Sequence, residues 1–135
     1  MGACVTETEF EIIPMFTLDT NAVIYYAAGD KNISALLLKH KEAIFYLPSI
    51  VVAEFLSYPL IDEHSATLFR LFTQQTIVVN LDLQISELAA ELRRAYNLKL
   101  ADAIIAATAV STNSTLLTRN IRDFKKVPRL TFLKI

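Results

Sequence analysis

Three short stretches, far apart in the chain, set a carboxylate among apolar residues. Phe16-Thr17-Leu18-Asp19-Thr20-Asn21 reads as a strand that ends on an acid. Ile50-Val51-Val52-Ala53-Glu54-Phe55-Leu56 is an apolar helix-like run with one Glu inside it. Leu100-Ala101-Asp102-Ala103-Ile104-Ile105-Ala106-Ala107 opens the most hydrophobic helix of the chain with an Asp. A buried carboxylate needs a partner, and three brought together need a cation. Asp19, Glu54 and Asp102 are therefore candidate ligands of a divalent metal. Oxygen-only donors select hard ions, Mg²⁺ or Mn²⁺.

Each carboxylate also has a simpler role open to it. Asp19 can cap the helix that starts near Thr20. Asp102 can favour its helix dipole, worth a few tenths to about 1 kcal/mol. Glu54 has Ile50, Val51, Ser57 and Tyr58 as helical neighbours, a largely apolar face. Its alternative is a buried ion pair, yet no basic residue lies between Lys41 and Arg70. Other chemistries find little support. His40 and His64 are isolated on polar stretches and read as surface residues, without zinc-site spacing. No Gly-rich phosphate loop and no Ser/His/Asp or Cys/His set can be drawn from two Gly and two His.

The elements that must position these groups alternate between strand and helix. Strands are expected at Met15–Asp19, Ile44–Leu47 (stopped by Pro48), Thr76–Asn80, Thr115–Thr118 and Leu130–Lys134. Helices are expected at Thr20–Ala28, at Asn32–His40 with Leu36, Leu37 and Leu38 toward the core, and at Ile50–Ser57 capped by Ser49. Further helices are expected at Ile61–Gln74, with apolar Ala66, Leu68, Phe69 and Phe72, and at Asp82–Asn97, with Ile85, Leu88, Ala89 and Leu92 on one face. Leu100–Thr112 is apolar nearly all round, as an interior helix should be. Helices between short, continuously apolar strands imply crossovers, hence a single three-layer α/β/α domain with a central parallel sheet. In such sheets ligands bind beyond the carboxyl ends of strands, the edge where the following helices begin. Asp19, Asp102 and Glu54 can meet there.

Composition agrees with one compact unit. The chain has 135 residues, 53% hydrophobic and 20% charged, which argues against disorder. No apolar run approaches the roughly 18 to 20 residues of a membrane span. Residues 1–14 carry Glu7, Glu9 and Glu11 and no basic residue, unlike a secretory signal, and read as an extension before a domain at 15–135. The single Cys4 suits a reducing cytoplasm. Net charge is −1, with 4 basic and 11 acidic residues up to position 90 and 9 basic and 3 acidic after it. The basic C-terminal third can contact phosphate locally, or be ordinary solvated surface. A mean hydropathy of +0.39 suggests apolar surface covered by a partner, with a large core as the alternative.

Taken in order, Leu18-Asp19-Thr20-Asn21, Ala53-Glu54, Leu100-Ala101-Asp102-Ala103-Ile104-Ile105-Ala106-Ala107 and Leu117-Thr118-Arg119-Asn120-Ile121-Arg122-Asp123-Phe124 resemble a PIN domain. The resemblance covers essentially all of 15–135, and the small size is similar to VapC-type toxins or close stand-alone relatives. It implies a Mg²⁺- or Mn²⁺-dependent endoribonuclease leaving a 3′-hydroxyl and a 5′-phosphate, frequently a homodimer inhibited by a small antitoxin protein. Carried over, Asp19, Glu54 and Asp102 hold the metal, and the fourth catalytic position falls either to Asp123 or to Asn120, which can orient a water or a ligand. Many relatives have Asp where Asn120 stands, which puts a second metal in doubt. Asn21, Thr118 and Asn120 are expected as supporting hydrogen-bonding residues, and Arg93, Arg94, Lys99, Arg119 and Arg122 as RNA contacts. The competing class is a non-catalytic module of the same fold that binds RNA or protein. A receiver-like phosphoacceptor or paired-Asp phosphatase fits less well, because Thr20-Asn21 and Arg119-Asn120 do not supply their acidic pair and Lys.

Overall fold

A computed structural model describes residues 12–135. Cys4, Glu7, Glu9, Glu11 and most of the expected extension lie outside the described residues. Five strands form one all-parallel sheet: β1 (Met15–Leu18), β2 (Ile44–Pro48), β3 (Ile77–Val79), β4 (Thr115–Thr118) and β5 (Phe132–Lys134). The order is β3-β2-β1-β4-β5, with Phe16 opposite Phe45 on one side and Thr115 on the other. The chain steps from β1 outward through β2 to β3, then crosses to β4 and β5 on the far side. Right-handed crossovers taken in opposite directions bring helices to both faces. They also create a switch point between β1 and β4, where adjacent strands diverge into different crossovers.

The helices are α1 (Thr20–Ala27), α2 (Lys31–Lys39), α3 (Ser49–Leu56), α4 (Glu63–Thr73), α5 (Leu83–Tyr96), α6 (Leu100–Ser111) and α7 (Ile121–Phe124). Aspartates start several of them. Asp19, Asp30, Asp62 and Asp82 each accept from main-chain N–H groups of the first turn, satisfying donors that a helix leaves open. This moves two expected boundaries: Asp62 starts α4 at Glu63 rather than Ile61, and Asp19 belongs to the cap rather than to β1. Asn97 closes α5 in the left-handed conformation, at φ 53°, which Asn tolerates better than most residues.

Residues Ala103–Ala109 of α6 are all buried, and α6 packs against α5, α3 and the three central strands. Its small side chains let it lie close to the sheet, the interior placement expected of it. Ile85, Ala89 and Leu92 of α5 are buried as their spacing requires. Phe55 of α3 stacks on Phe69 of α4 with ring centroids 4.2 Å apart.

Several local expectations are corrected. Ser49 does not cap α3; it is the helix's first residue, and its Oγ accepts from the Leu81 N–H at 3.1 Å. Leu38 points to solvent, 73% exposed, because Ile33 fills the core position of α2 and Leu36 and Leu37 only lean against it. Leu68 is likewise 53% exposed on α4. His40 is half-buried, its ring 5.1 Å from that of Phe16. The four-residue α7 is too short to leave a periodic trace in sequence.

Candidate active site

Asp19 stands at the end of β1, on the switch point, and is only 4% exposed. Its Oδ1 accepts from the Ala22 N–H at 2.7 Å, so the capping role is real and occupies one oxygen. Burial pushes its carboxyl above the ordinary value. The Thr118 side chain and the Ala22 N–H pull it back, and the nearby charges of Asp102 and Glu54 push it further up. Three carboxylates, from the cap of α1, from α3 and from α6, are therefore near one another, although 83 positions separate the first from the last.

Glu54 sits in the second turn of α3, and its Oε1 accepts from the Thr20 hydroxyl at 2.5 Å. Thr20 was not singled out from sequence. The available signal was a hydroxyl immediately after Asp19, at the first position of α1. Asp102 lies in the first turn of α6. Its carboxyl is raised chiefly by burial, with Asp123 and Glu54 adding to this and Lys99 opposing it.

Asp123 and Asn120 form the fourth corner. Asn120 Nδ2 donates to Asp123 Oδ2 at 3.0 Å, and Lys126 Nζ is 3.7 Å from Oδ1. The Asn120 amide, and then Lys126 and Arg122, hold the Asp123 carboxyl below its ordinary value despite some burial. Thr118 ends β4 fully buried, its hydroxyl accepting from the Asn120 N–H at 2.9 Å.

An open cleft of about 360 Å³ is lined by Asp19, Glu54, Asp102, Asn21 and Asn120 on its polar side and by Tyr58 and Ile105 on its apolar side. Asn21 is exposed on its rim. No basic side chain is among the lining residues. Among the described residues, no three acidic, His or Cys side chains converge on a single ion as they stand. The hydrogen bond from Thr20 is one contact that a ligand set including Glu54 Oε1 must share or give up.

The basic residues distribute differently from the acids. Lys99 and Arg122 are exposed and close enough to bear on Asp102 and Asp123 respectively. Arg93 and Arg94 line a separate surface hollow with Asn97 and Leu100. Arg119 is engaged elsewhere, with Nη2 donating to Asp30 Oδ2 at 2.6 Å.

The architecture is a parallel α/β sheet with one buried acid, Asp19, and two half-buried ones, Glu54 and Asp102, gathered at its switch point. The PIN domain model matches residues 16–130, and the chain belongs to that family. Ribonuclease VapC2 of Rickettsia felis is 28% identical over 126 residues, covering 86% of this chain and 94% of that protein. Among solved structures, a toxin-antitoxin complex from Klebsiella pneumoniae matches with TM-score 0.76 and 28% identity, over 88% of this chain and 98% of that one. VapBC2 from Rickettsia felis, bound to a DNA fragment from their promoter, matches with TM-score 0.78 and 24% identity, over 90% and 98%. DNA-bound VapBC from Salmonella typhimurium reaches TM-score 0.79 at 21% identity, over 90% and 98%, a likeness of fold.

Proposed function

We propose that this chain is a Mg²⁺- or Mn²⁺-dependent ribonuclease hydrolysing RNA phosphodiester bonds, the toxin of a toxin-antitoxin pair. The observation that carries the reading is the convergence of Asp19, Glu54 and Asp102 on one cleft that, among the described residues, no basic side chain lines. Such a cluster is at odds with itself until positive charge enters, and its all-oxygen donor set fits a hard divalent ion. Asp19, Asp102 and Glu54 would hold that ion. When bound it would supply Lewis-acid polarisation and neutralise charge on a phosphodiester.

The chain's own residues supply the rest. The Ala22 N–H fixes Asp19 through Oδ1, with the Thr118 side chain beside it, and the carboxylate lines the cleft. Thr20 steadies Glu54 through Oε1, so that Glu54 would either hold the ion or orient the attacking water, whose proton is finally taken up by the departing 3′ oxygen. In-line attack forms the new P–O bond and expels the 3′ oxygen, giving a 3′-hydroxyl and a 5′-phosphate. Asn120 keeps Asp123 ionised beside Asp102. Lys99 and Arg122 flank the acids and are suited to the RNA backbone on either side.

The partner follows from the relatives, whose structures are toxin-antitoxin complexes, and from a second groove. About 460 Å³ in volume, it is lined by Val23, Tyr26, Phe55, Leu68, Leu71 and Phe72. The apolar face of an antitoxin helix suits such a surface. A homodimer would cover further exposed apolar side chains.

Cleavage of a single-stranded RNA with Mn²⁺, with excess chelator, and by Asp102→Asn tests the enzyme reading. Cleavage is expected only in the first condition. RNA binding without cleavage in any condition would favour the non-catalytic module, a reading to which Asn120 at the fourth position lends some weight.

A further inference from the structure

Arg119 stands between the buried Thr118 and the cleft residue Asn120, and its charge is engaged outside the cleft lining. Thr118 before it helps set Asp19, and Asn120 after it lines the cleft and holds Asp123. The Arg119 guanidinium makes three different contacts. Nη2 donates to Asp30 Oδ2 at 2.6 Å, Nε donates to the main-chain oxygen of Ile135 at 3.2 Å, and Cζ lies 3.8 Å from the centroid of the Tyr25 ring. Asp30 is itself fixed, because its Oδ1 accepts from the Asn32 and Ile33 N–H groups at the start of α2. One planar cation thus ties the segment between β4 and α7 to α1, α2 and the residue after β5. A fork of donors that also stacks on an aromatic face is available to Arg and not to Lys.

We propose that Arg119 is a positioning residue, fixing the Thr118–Asn120 backbone so that Asn120, and through it Asp123, are presented to the cleft. The assignment rests on the ribonuclease reading and replaces a phosphate contact with an internal brace. Its side chain is only 32% exposed, and its donors are directed at Asp30 and Ile135. Displacement of a reacting group by about 1 Å is worth on the order of 100-fold in rate, so a brace of this kind governs turnover more than binding.

The test uses Arg119→Gln, Arg119→Lys, Asp30→Asn and the Asp30→Asn/Arg119→Gln pair, all assayed well below their melting temperatures. Expected is a loss in kcat of about 10- to 100-fold for Arg119→Gln, with KM and its salt dependence unchanged. Arg119→Lys should recover part of that loss, and the double variant should be no worse than the poorer single one. A raised KM with unchanged kcat, and a salt slope smaller by about 0.7, would mark a phosphate contact and overturn the proposal. So would a lowered Tm with unaltered kcat, the signature of a purely stabilising pair. A second readout needs no activity: the side-chain amide NMR signals of Asn120 should shift in folded Arg119→Gln and in Asp30→Asn. Unmoved signals refute positioning. Failure of the wild type to cleave RNA would count against the ribonuclease reading alone, with the amide signals still deciding this one.

Discussion

Replacing Asp19 separates its two roles, because Asn keeps the cap and discards the charge while Ala discards both. Asn and Asp are equivalent N-caps, whereas loss of the bond to the Ala22 N–H costs about 0.5–2 kcal/mol. Asp19→Asn should therefore exceed Asp19→Ala by about 1 kcal/mol, some 3–5 °C for a domain of this size. Without metal, Asp19→Asn should also melt above wild type, since it removes a buried charge that Asp102 and Glu54 oppose. Saturating Mn²⁺, at about 100 times its dissociation constant, should add about 2.7 kcal/mol to wild type and little to either variant. The order then inverts, with wild type melting on the order of 10 °C higher than before. Thermal melts of the three proteins with Mn²⁺ and with chelator give the whole comparison, and both variants should lose RNA cleavage. If metal-free Asp19→Asn melts no higher than wild type, the charge of Asp19 carries no net cost from burial and its acidic neighbours, and the reasoning fails. If Mn²⁺ raises all three alike, the ion binds elsewhere.

Two more predictions concern the same charges. Asp19 and Asp102 are raised in the fold, chiefly by burial, so the folded state binds more protons than the unfolded one between their ordinary and raised values. Metal-free stability should climb as pH falls from neutral through the raised values. It should then drop below the ordinary carboxylate range, where Asp30, Asp62 and Asp123, all lowered by hydrogen bonds, take up protons. Denaturant melts across pH with chelator check this, and a monotonic loss on acidification would contradict it. Asn120→Asp should set a like charge against Asp123 in place of a 3.0 Å hydrogen bond. Its metal-free Tm should fall and its Mn²⁺-induced rise should grow, measured beside wild type; an unchanged response would place Asn120 outside the ion's reach.

The fold was legible because the strands are short apolar runs, the central β1 and β4 nearly wholly buried, and because α4 and α5 carry a helical period while α6 is apolar nearly all round. Boundaries slipped where one side chain decides them, as when Asp62 rather than Ile61 opens α4. Leu38 was misread because three leucines in a row cannot all face one side of a helix. The acids were legible for the opposite reason, since Glu54 and Asp102 interrupt helices that are otherwise apolar. What sequence could not reveal were pairings between distant positions: Thr20 with Glu54 across 34 residues, and Arg119 with Asp30 across 89. Arg119 reads as an available cation in any charge count, and only the folded chain shows that its charge is already engaged.

Asp19 caps α1, and that role does not exclude the site role proposed for it. A carboxylate has two oxygens, and a cap uses one of them. Tying Oδ1 to the Ala22 N–H removes rotational freedom that a free side chain would otherwise lose on gripping a ligand, so the fold prepares the site in advance. Glu54 and Asp123 repeat the arrangement, one oxygen of each held by Thr20 or by Asn120. These hydrogen bonds orient the Glu54 and Asp123 carboxylates, while burial, before any repulsion, disfavours the charge on Asp19 and Asp102. Neutral donors, Ala22, Thr20 and Asn120, hold one oxygen each of Asp19, Glu54 and Asp123. The nearby cations, Lys126 and Lys99, bear on Asp123 and Asp102; on the proposed reading, the positive charge facing Asp19 would come with the ion.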